Sequence, residues 1–251
     1  MTSNITPLIA GNWKMNGLSA SMAEFQKLGI LLTAGAAPNC AVAICPPATL
    51  LAAMSAHGAQ LGIRTGGQDC HTAQSGAHTG DISATMLADA GAQYCIVGHS
   101  ERRADHGETD ETVAAKTRAA LAAGLIPIIC VGETEAQRRA GEQNAVVAAQ
   151  LARSIPDDVA GRDFVVAYEP VWAIGTGLTP TLEDIAAMHD YMRALLVSRF
   201  GGQGASTRLL YGGSMKPANA RDILAIDNVN GGLVGGASLL ANDFHGIISA
   251  V

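Results

Sequence analysis

The sequence predicts a single-domain eight-stranded parallel α/β barrel, (β/α)8, over residues 1–251. Three observations carry that expectation. Short apolar runs ending in Gly or a polar residue recur eight times, each leading into an amphipathic stretch. The interiors of the runs are nearly continuous in apolar residues, as in parallel strands covered on both faces. No low-complexity linker divides the 251 residues. Strands alternating with helices fit either a barrel or a doubly wound sheet. The count of eight and the missing domain break favour the barrel, and barrels reach this length as one unit.

Taken in order, the strand candidates are 8–14, 40–45, 63–69, 94–100, 126–132, 164–169, 208–214 and 232–236. CIVG, IPIICVG, FVVAYE and RLLYGG show the apolar interiors. Helical candidates lie between them at 21–32, 83–90, 111–123, 135–153, 182–200 and 218–224. Thr179 before Pro180 reads as an N-cap with Pro at the first helical position, and Gly91 and Gly124 as glycines just past helix ends. Residues 201–204, Gly-Gly-Gln-Gly, read as a turn.

The totals narrow the function. Hydrophobic residues make up 48% and charged residues 15%, a globular balance. A net charge of −6 gives no sign of a nucleic-acid-binding face. It leaves room for a small anion, which a few N–H groups and one or two lysines can bind. The segment MTSNITPLIAGNWKMNG has no basic head followed by a long apolar stretch, so no signal peptide is expected. No apolar run is long enough to span a membrane. Cys40, Cys45, Cys70, Cys95 and Cys130 lie mostly within apolar runs and read as buried free thiols of a cytoplasmic protein. Cys70 beside His71 has no second pair at zinc-like spacing, so no metal is expected.

Barrel active sites lie where strands pass into the following loops. At those ends stand Asn12 and Lys14, Gln68, His99 and Ser100, Glu169, Ser214, and Gly235 with Gly236. Singly each has a bland reading: a solvated lysine, a capping glutamate, a structural histidine, a tight Gly-Gly turn. A carboxylate, an imidazole, an ammonium and two turns rich in N–H groups at one barrel mouth are a different matter. Together they suit acid–base chemistry on a small anion.

The segments that carry these residues are Gly11-Asn12-Trp13-Lys14-Met15-Asn16, Val97-Gly98-His99-Ser100-Glu101-Arg102-Arg103, and Ala167-Tyr168-Glu169-Pro170-Val171-Trp172-Ala173-Ile174-Gly175-Thr176-Gly177. Tyr211-Gly212-Gly213-Ser214 and Gly232-Leu233-Val234-Gly235-Gly236-Ala237-Ser238 follow. Five such blocks, in this order over essentially the whole chain, resemble the triosephosphate isomerase family. The resemblance implies a cofactor-free isomerase of glycolysis and gluconeogenesis. It would interconvert dihydroxyacetone phosphate and D-glyceraldehyde 3-phosphate through an enediolate.

The same resemblance implies that Glu169 is the base, His99 a neutral electrophile and Lys14 an electrostatic partner, with Asn12 orienting the substrate. It places Gly175, Ser214, Gly235 and Gly236 around the phosphate. Local features agree with these roles. Pro170 restricts Glu169 to extended backbone, and desolvation on closure should make its carboxylate more basic. A short helix beginning at Ser100 would point its N-terminus at His99 and disfavour imidazolium. Glu101 is the expected partner of Lys14 in the empty site. Gly235-Gly236, opening the short stretch 237–240, allows close backbone approach to an anion.

Residues 171–177 resemble the family's closing lid, with Trp172 and Ile174 as its cover; Leu178 departs from the lysine usual at the hinge. The loop 66–81, from Gly66 to Asp81, resembles the family's interdigitating dimer loop and predicts a homodimer, with His71 and His78 as interface residues. Asp69 stands where asparagine is usual. An aldolase would need a Schiff-base lysine deep in the barrel, and a metal-dependent epimerase several His and Asp at strand ends; neither is present. The remaining alternative is a catalytically silent homologue acting as a binding module, which loss of Lys14, His99 or Glu169 would have favoured. All three residues are in place.

Overall fold

The computed structural model describes residues 5–34, 38–173 and 180–251. Eight strands run β1 Leu8–Asn12, β2 Ala41–Cys45, β3 Arg64–Gly67, β4 Tyr94–Val97, β5 Ile126–Val131, β6 Val165–Tyr168, β7 Arg208–Tyr211 and β8 Gly231–Val234. Each pairs in parallel with the next, and β1 pairs with β8, closing the barrel that the apolar runs predict.

Alternate residues of the strands face two different cores. Leu8, Ala10, Ala43, Tyr94, Ile96, Ile128, Cys130, Val165, Ala167, Leu210 and Leu233 fill the barrel. Ile9, Val42, Ile44, Val97, Ile129, Val131, Val166 and Leu209 pack outward under the helices. Both faces are dry, which is why the strands read as unbroken apolar runs. Small alanines set against Tyr94 and the isoleucines let the inward layers interdigitate.

The helices fall between the strands, with instructive differences. The stretch expected as one helix over 135–153 is two, Glu135–Arg139 and Gln143–Ser154. They part at Gly141, whose φ of 72° no right-handed helix admits. Helix Leu182–Phe200 has the expected bounds, but its N-cap is Thr181, not Thr179, which lies outside the described residues. Thr181 Oγ1 accepts from Asp184 N at 3.1 Å and Asp184 Oδ2 accepts from Thr181 N at 3.4 Å, a reciprocal cap.

The expected turn at 201–204 opens a helix, Gly202–Ser206. Tertiary contact overrides glycine's poor propensity there: a Cβ on Gly204 would sit 2.0 Å from Leu196 O, so only glycine lets this turn lie on its neighbour. Helices Ala48–Gly58 and Ala241–Ile248 complete the shell beyond those foreseen. Gly91 and Gly124 do follow helix ends, at φ of 91° and 80°.

All five cysteines are free and buried. Burial pushes the Cys40 thiol up to about 11 and Cys45 up to about 12, far from a reactive thiolate. Among the described residues no helix is long and apolar enough to cross a membrane.

Candidate active site

Strand parity delivers two of the site residues. Asn12 continues the inward series of Leu8 and Ala10, and Glu169 that of Val165 and Ala167, so both form the top layer of the barrel. His99 follows the outward-facing Cys95 and Val97. Gly98, at φ 66°, interrupts the alternation, and His99 meets Glu169: Nε2 lies 2.8 Å from Oε1.

That contact belongs to a small network. Ser100 N donates to Glu169 Oε2 at 2.9 Å. Glu101 N donates to His99 Nδ1 at 3.2 Å, making His99 the N-cap of helix Ser100–His106. Because Nδ1 offers its lone pair, a neutral ring carries its proton on Nε2. The N-terminus of one helix meets the imidazole, as expected, and the Glu169 carboxylate as well.

The electrostatics at His99 run against the expectation that the helix N-terminus disfavours its imidazolium. Burial favours the neutral acid at Glu169, but His99, the Ser100 N–H and Lys14 together hold the carboxyl below its ordinary range. Burial pulls His99 down, and the Glu169 carboxylate, its hydrogen bond and Glu101 outweigh it, so the ring sits above its ordinary value. Each of the two groups therefore favours the charged form of the other, and the upward push on His99 comes chiefly from Glu169.

Lys14 has a left-handed backbone, φ 54°, a conformation that costs a non-glycine residue about 1–2 kcal/mol. It is pinned on both sides. Lys14 N donates to Asn12 Oδ1 at 3.0 Å, and Gln68 Nε2 donates to Lys14 O at 2.8 Å and Cys45 O at 2.9 Å. Its ammonium pairs with Glu101 Oε1 at 2.6 Å, the partner expected.

A cavity of about 320 Å³ gathers Asn12, Lys14, His99 and Glu169 on one side, with Ser214, Gly235 and Gly236 also lining it. Gly235-Gly236 leads into a 3₁₀ turn of three residues, Gly236–Ser238, rather than a sustained helix. A Cβ on Gly236 would meet nothing within 4 Å. Packing does not demand glycine there, and the backbone faces open space. Gly175, with Ile174, Gly177 and Leu178, lies outside the described residues.

Glu133, after β5, escaped the strand-end reading. It is fully buried and accepts from Tyr168 Oη at 3.0 Å and Trp172 Nε1 at 2.9 Å, tying Trp172 to the barrel. The signal was its place at a strand end. Asp69 turns inward: Lys116 Nζ donates to its two oxygens at 2.7 and 2.8 Å, and Arg102 Nε lies 2.9 Å away.

Fold and cavity together define an α/β-barrel protein with a carboxyl–imidazole pair and a lysine at the carboxyl ends of its strands, the arrangement of an acid–base isomerase. The triosephosphate isomerase family model matches residues 7–251. The triosephosphate isomerase of Jannaschia sp. (strain CCS1) is 60% identical, covering 97% of each chain. That of Ruegeria pomeroyi is 61% identical over 97% of this chain and 96% of its own. The crystal structure of triosephosphate isomerase from Bartonella henselae superposes with a TM-score of 0.91 at 44% identity, covering 98% of this chain and 99% of that one. This chain belongs to the triosephosphate isomerase family, the family its motifs resemble.

Proposed function

We propose that the chain interconverts dihydroxyacetone phosphate and D-glyceraldehyde 3-phosphate, with Glu169 as proton acceptor, His99 as electrophile and Lys14 as electrostatic partner. The observation that carries this reading is the single cavity shared by Asn12, Lys14, His99, Glu169, Ser214, Gly235 and Gly236. A phosphate fits the open backbone at Ser214 and Gly235-Gly236, with Gly175 as a further donor. The carbonyl end then lies toward Lys14 and His99.

In the empty site Glu169 rests on His99 and Ser100. Substrate turns it away, and two things follow. The carboxylate loses the partners that hold it down and becomes a stronger base in a dry site. The Nε2–H of His99 is freed for the carbonyl oxygen, while Nδ1 keeps its bond from Glu101 N and so its tautomer. Glu169 takes a proton from one carbon, and the C–H electron pair moves into the enediolate. Lys14 and His99 face the developing negative charge. Glu169 then returns the proton to the adjacent carbon, while His99 Nε2 gives its proton to the former carbonyl oxygen and takes one from the neighbouring hydroxyl, so the enzyme ends as it began. Neither a metal nor a cofactor enters this scheme. Closure of 171–177 would exclude water from the enediolate.

The test is conversion of D-glyceraldehyde 3-phosphate in a coupled assay with no metal or cofactor added beyond the coupling enzyme's own. Phosphate binding without turnover would instead support the silent binding module. The chain's place in glycolysis and gluconeogenesis, in the cytoplasm, follows from the same reading.

The homodimer through Gly66–Asp81 is part of the proposal. Residues 74–81 are almost all exposed, and Met15, next to the active-site Lys14, is 96% exposed. A bare apolar side chain beside the site suits an interface that a second copy covers. Sedimentation of a stable, active monomer at dilute concentration would contradict the dimer.

A further inference from the structure

The base is suspended from the chain segment that follows β5. Glu169 N donates to Val131 O at 2.8 Å, and Val171 N donates to Glu133 O at 3.1 Å. Between those anchors lies Gly132, over which Glu169 passes so closely that a Cβ there would fall 1.7 Å from Glu169 O. Only glycine permits this crossing, and glycine is also the residue least able to hold its own conformation.

Packing does not hold Gly132 on its outer side. A cavity of about 260 Å³ opens there, lined by Gly132, Ser100, Glu169 and Val171. One side chain reaches in from helix Gln143–Ser154, where Val147 and Leu151 are buried. Gln150 Oε1 accepts from Gly132 N at 2.7 Å, and Gln150 Nε2 donates to Gly132 O at 3.1 Å. Both polar groups of the glycine are thereby taken by one amide, in a geometry that fixes the peptide planes on either side of its Cα.

We propose that Gln150 is a positioning residue for the proton transfer. By clamping Gly132 it fixes the segment from which Glu169 and Val171 hang, and so the pivot about which the Glu169 carboxyl turns. Gln150 touches no substrate. Its effect reaches the reaction through backbone alone, and the proposal rests on Glu169 being the base.

The experiment is a double-mutant cycle. Gln150→Met keeps the length and bulk of the side chain and removes both hydrogen bonds; Glu169→Asp withdraws the carboxyl from its position. Gln150→Met is expected to lower kcat about tenfold with KM changed less than twofold, since a small misplacement of a reacting group is costly in rate. On the Glu169→Asp background the same change should cost less than threefold, because the position it protects is already lost. Gln150→Glu, which keeps the acceptor for Gly132 N and loses the donor, should fall between wild type and Gln150→Met. It carries the test should Gln150→Met fail to fold. A lower melting temperature with unchanged kcat would make Gln150 merely structural and overturn the proposal. So would equal losses on both backgrounds. If Glu169→Asp itself ran at the wild-type rate, the base assignment would fall, and this proposal with it.

Discussion

The Glu169 carboxyl and the His99 imidazole are in direct contact, Oε1 to Nε2 at 2.8 Å, inside a site where Glu169 is 2% exposed. Two groups proposed to act on neighbouring atoms at the carbonyl end of the substrate thus neutralise each other here. The contact favours the ionised form of the buried carboxyl, and with Nδ1 accepting from Glu101 N the proton of a neutral ring sits on Nε2. Binding energy from the phosphate end can be used to part them.

If Glu169 is the base, Glu169→Gln removes the proton acceptor but retains the size of the side chain and an oxygen for Ser100 N. We expect kcat to fall by about 10³-fold or more, the scale of a lost general base. Inorganic phosphate should inhibit the variant as well as it inhibits wild type. Steady-state kinetics checks both, and near-normal turnover would remove Glu169 from the mechanism.

The carboxyl's titration reports its partners. Burial pushes Glu169 up, and His99 leads the opposing contributions that bring it below its ordinary range. Replacing His99 with Leu leaves burial with less opposition, so the carboxyl should titrate at higher pH in His99→Leu than in wild type. Carbon-13 NMR of labelled glutamate in the ligand-free protein measures it. An unchanged titration would mean that Ser100 N and Lys14 suffice.

His99 reaches the site through Gly98, and that dependence is testable. Alanine at φ 66° costs about 1–2 kcal/mol in backbone strain. Its Cβ would also lie 2.6 and 2.8 Å from the Val113 methyls. Overpacking of that kind adds about 1–3 kcal/mol. Gly98→Ala should therefore melt several degrees lower and lose turnover together, because relief of the clash moves His99. Thermal denaturation and kcat on the same sample decide it; normal turnover with a lower melting temperature would separate His99's placement from Gly98.

How much of this was legible in the sequence depends on which forces set each feature. The strands were, because a barrel dries both faces and leaves unbroken apolar runs such as 126–131. The positions of Asn12 and Glu169 followed from strand ends. Glu133 shared that strand-end signal and was passed over. The helix at Gly202–Ser206 was not legible, since the close approach of Gly204 to Leu196 O exists only in the folded chain. Nor was the hold on Lys14: Gln68 was visible at its strand end, but its bonds to Lys14 O and Cys45 O join residues 54 and 23 positions apart. The contact of Glu169 with His99 spans 70 positions and depends on the state of the site, which no local pattern encodes.

A titrating group away from the site weakens the fold as the pH falls. His189 is fully buried; burial lowers its pKa to about 4, against a weaker upward pull from its bond to Asn228 O. Nδ1 lies 3.1 Å from that carbonyl, so the neutral ring donates there, and Nε2 has no hydrogen-bond partner among the described residues. In the unfolded chain the ring binds its proton near pH 6.5. Between that pH and about 4 the unfolded state holds more protons than the folded one, so stability falls as pH falls. The full loss below pH 4 is about 3 kcal/mol. His189→Asn cannot titrate, so its urea-unfolding free energy should vary less between pH 7 and 4.5 than that of wild type. The variant starts lower at pH 7 because it leaves a small cavity beside Tyr168, whose ring packs edge-on to His189. Equal pH slopes for the two proteins would assign the acid sensitivity to other groups.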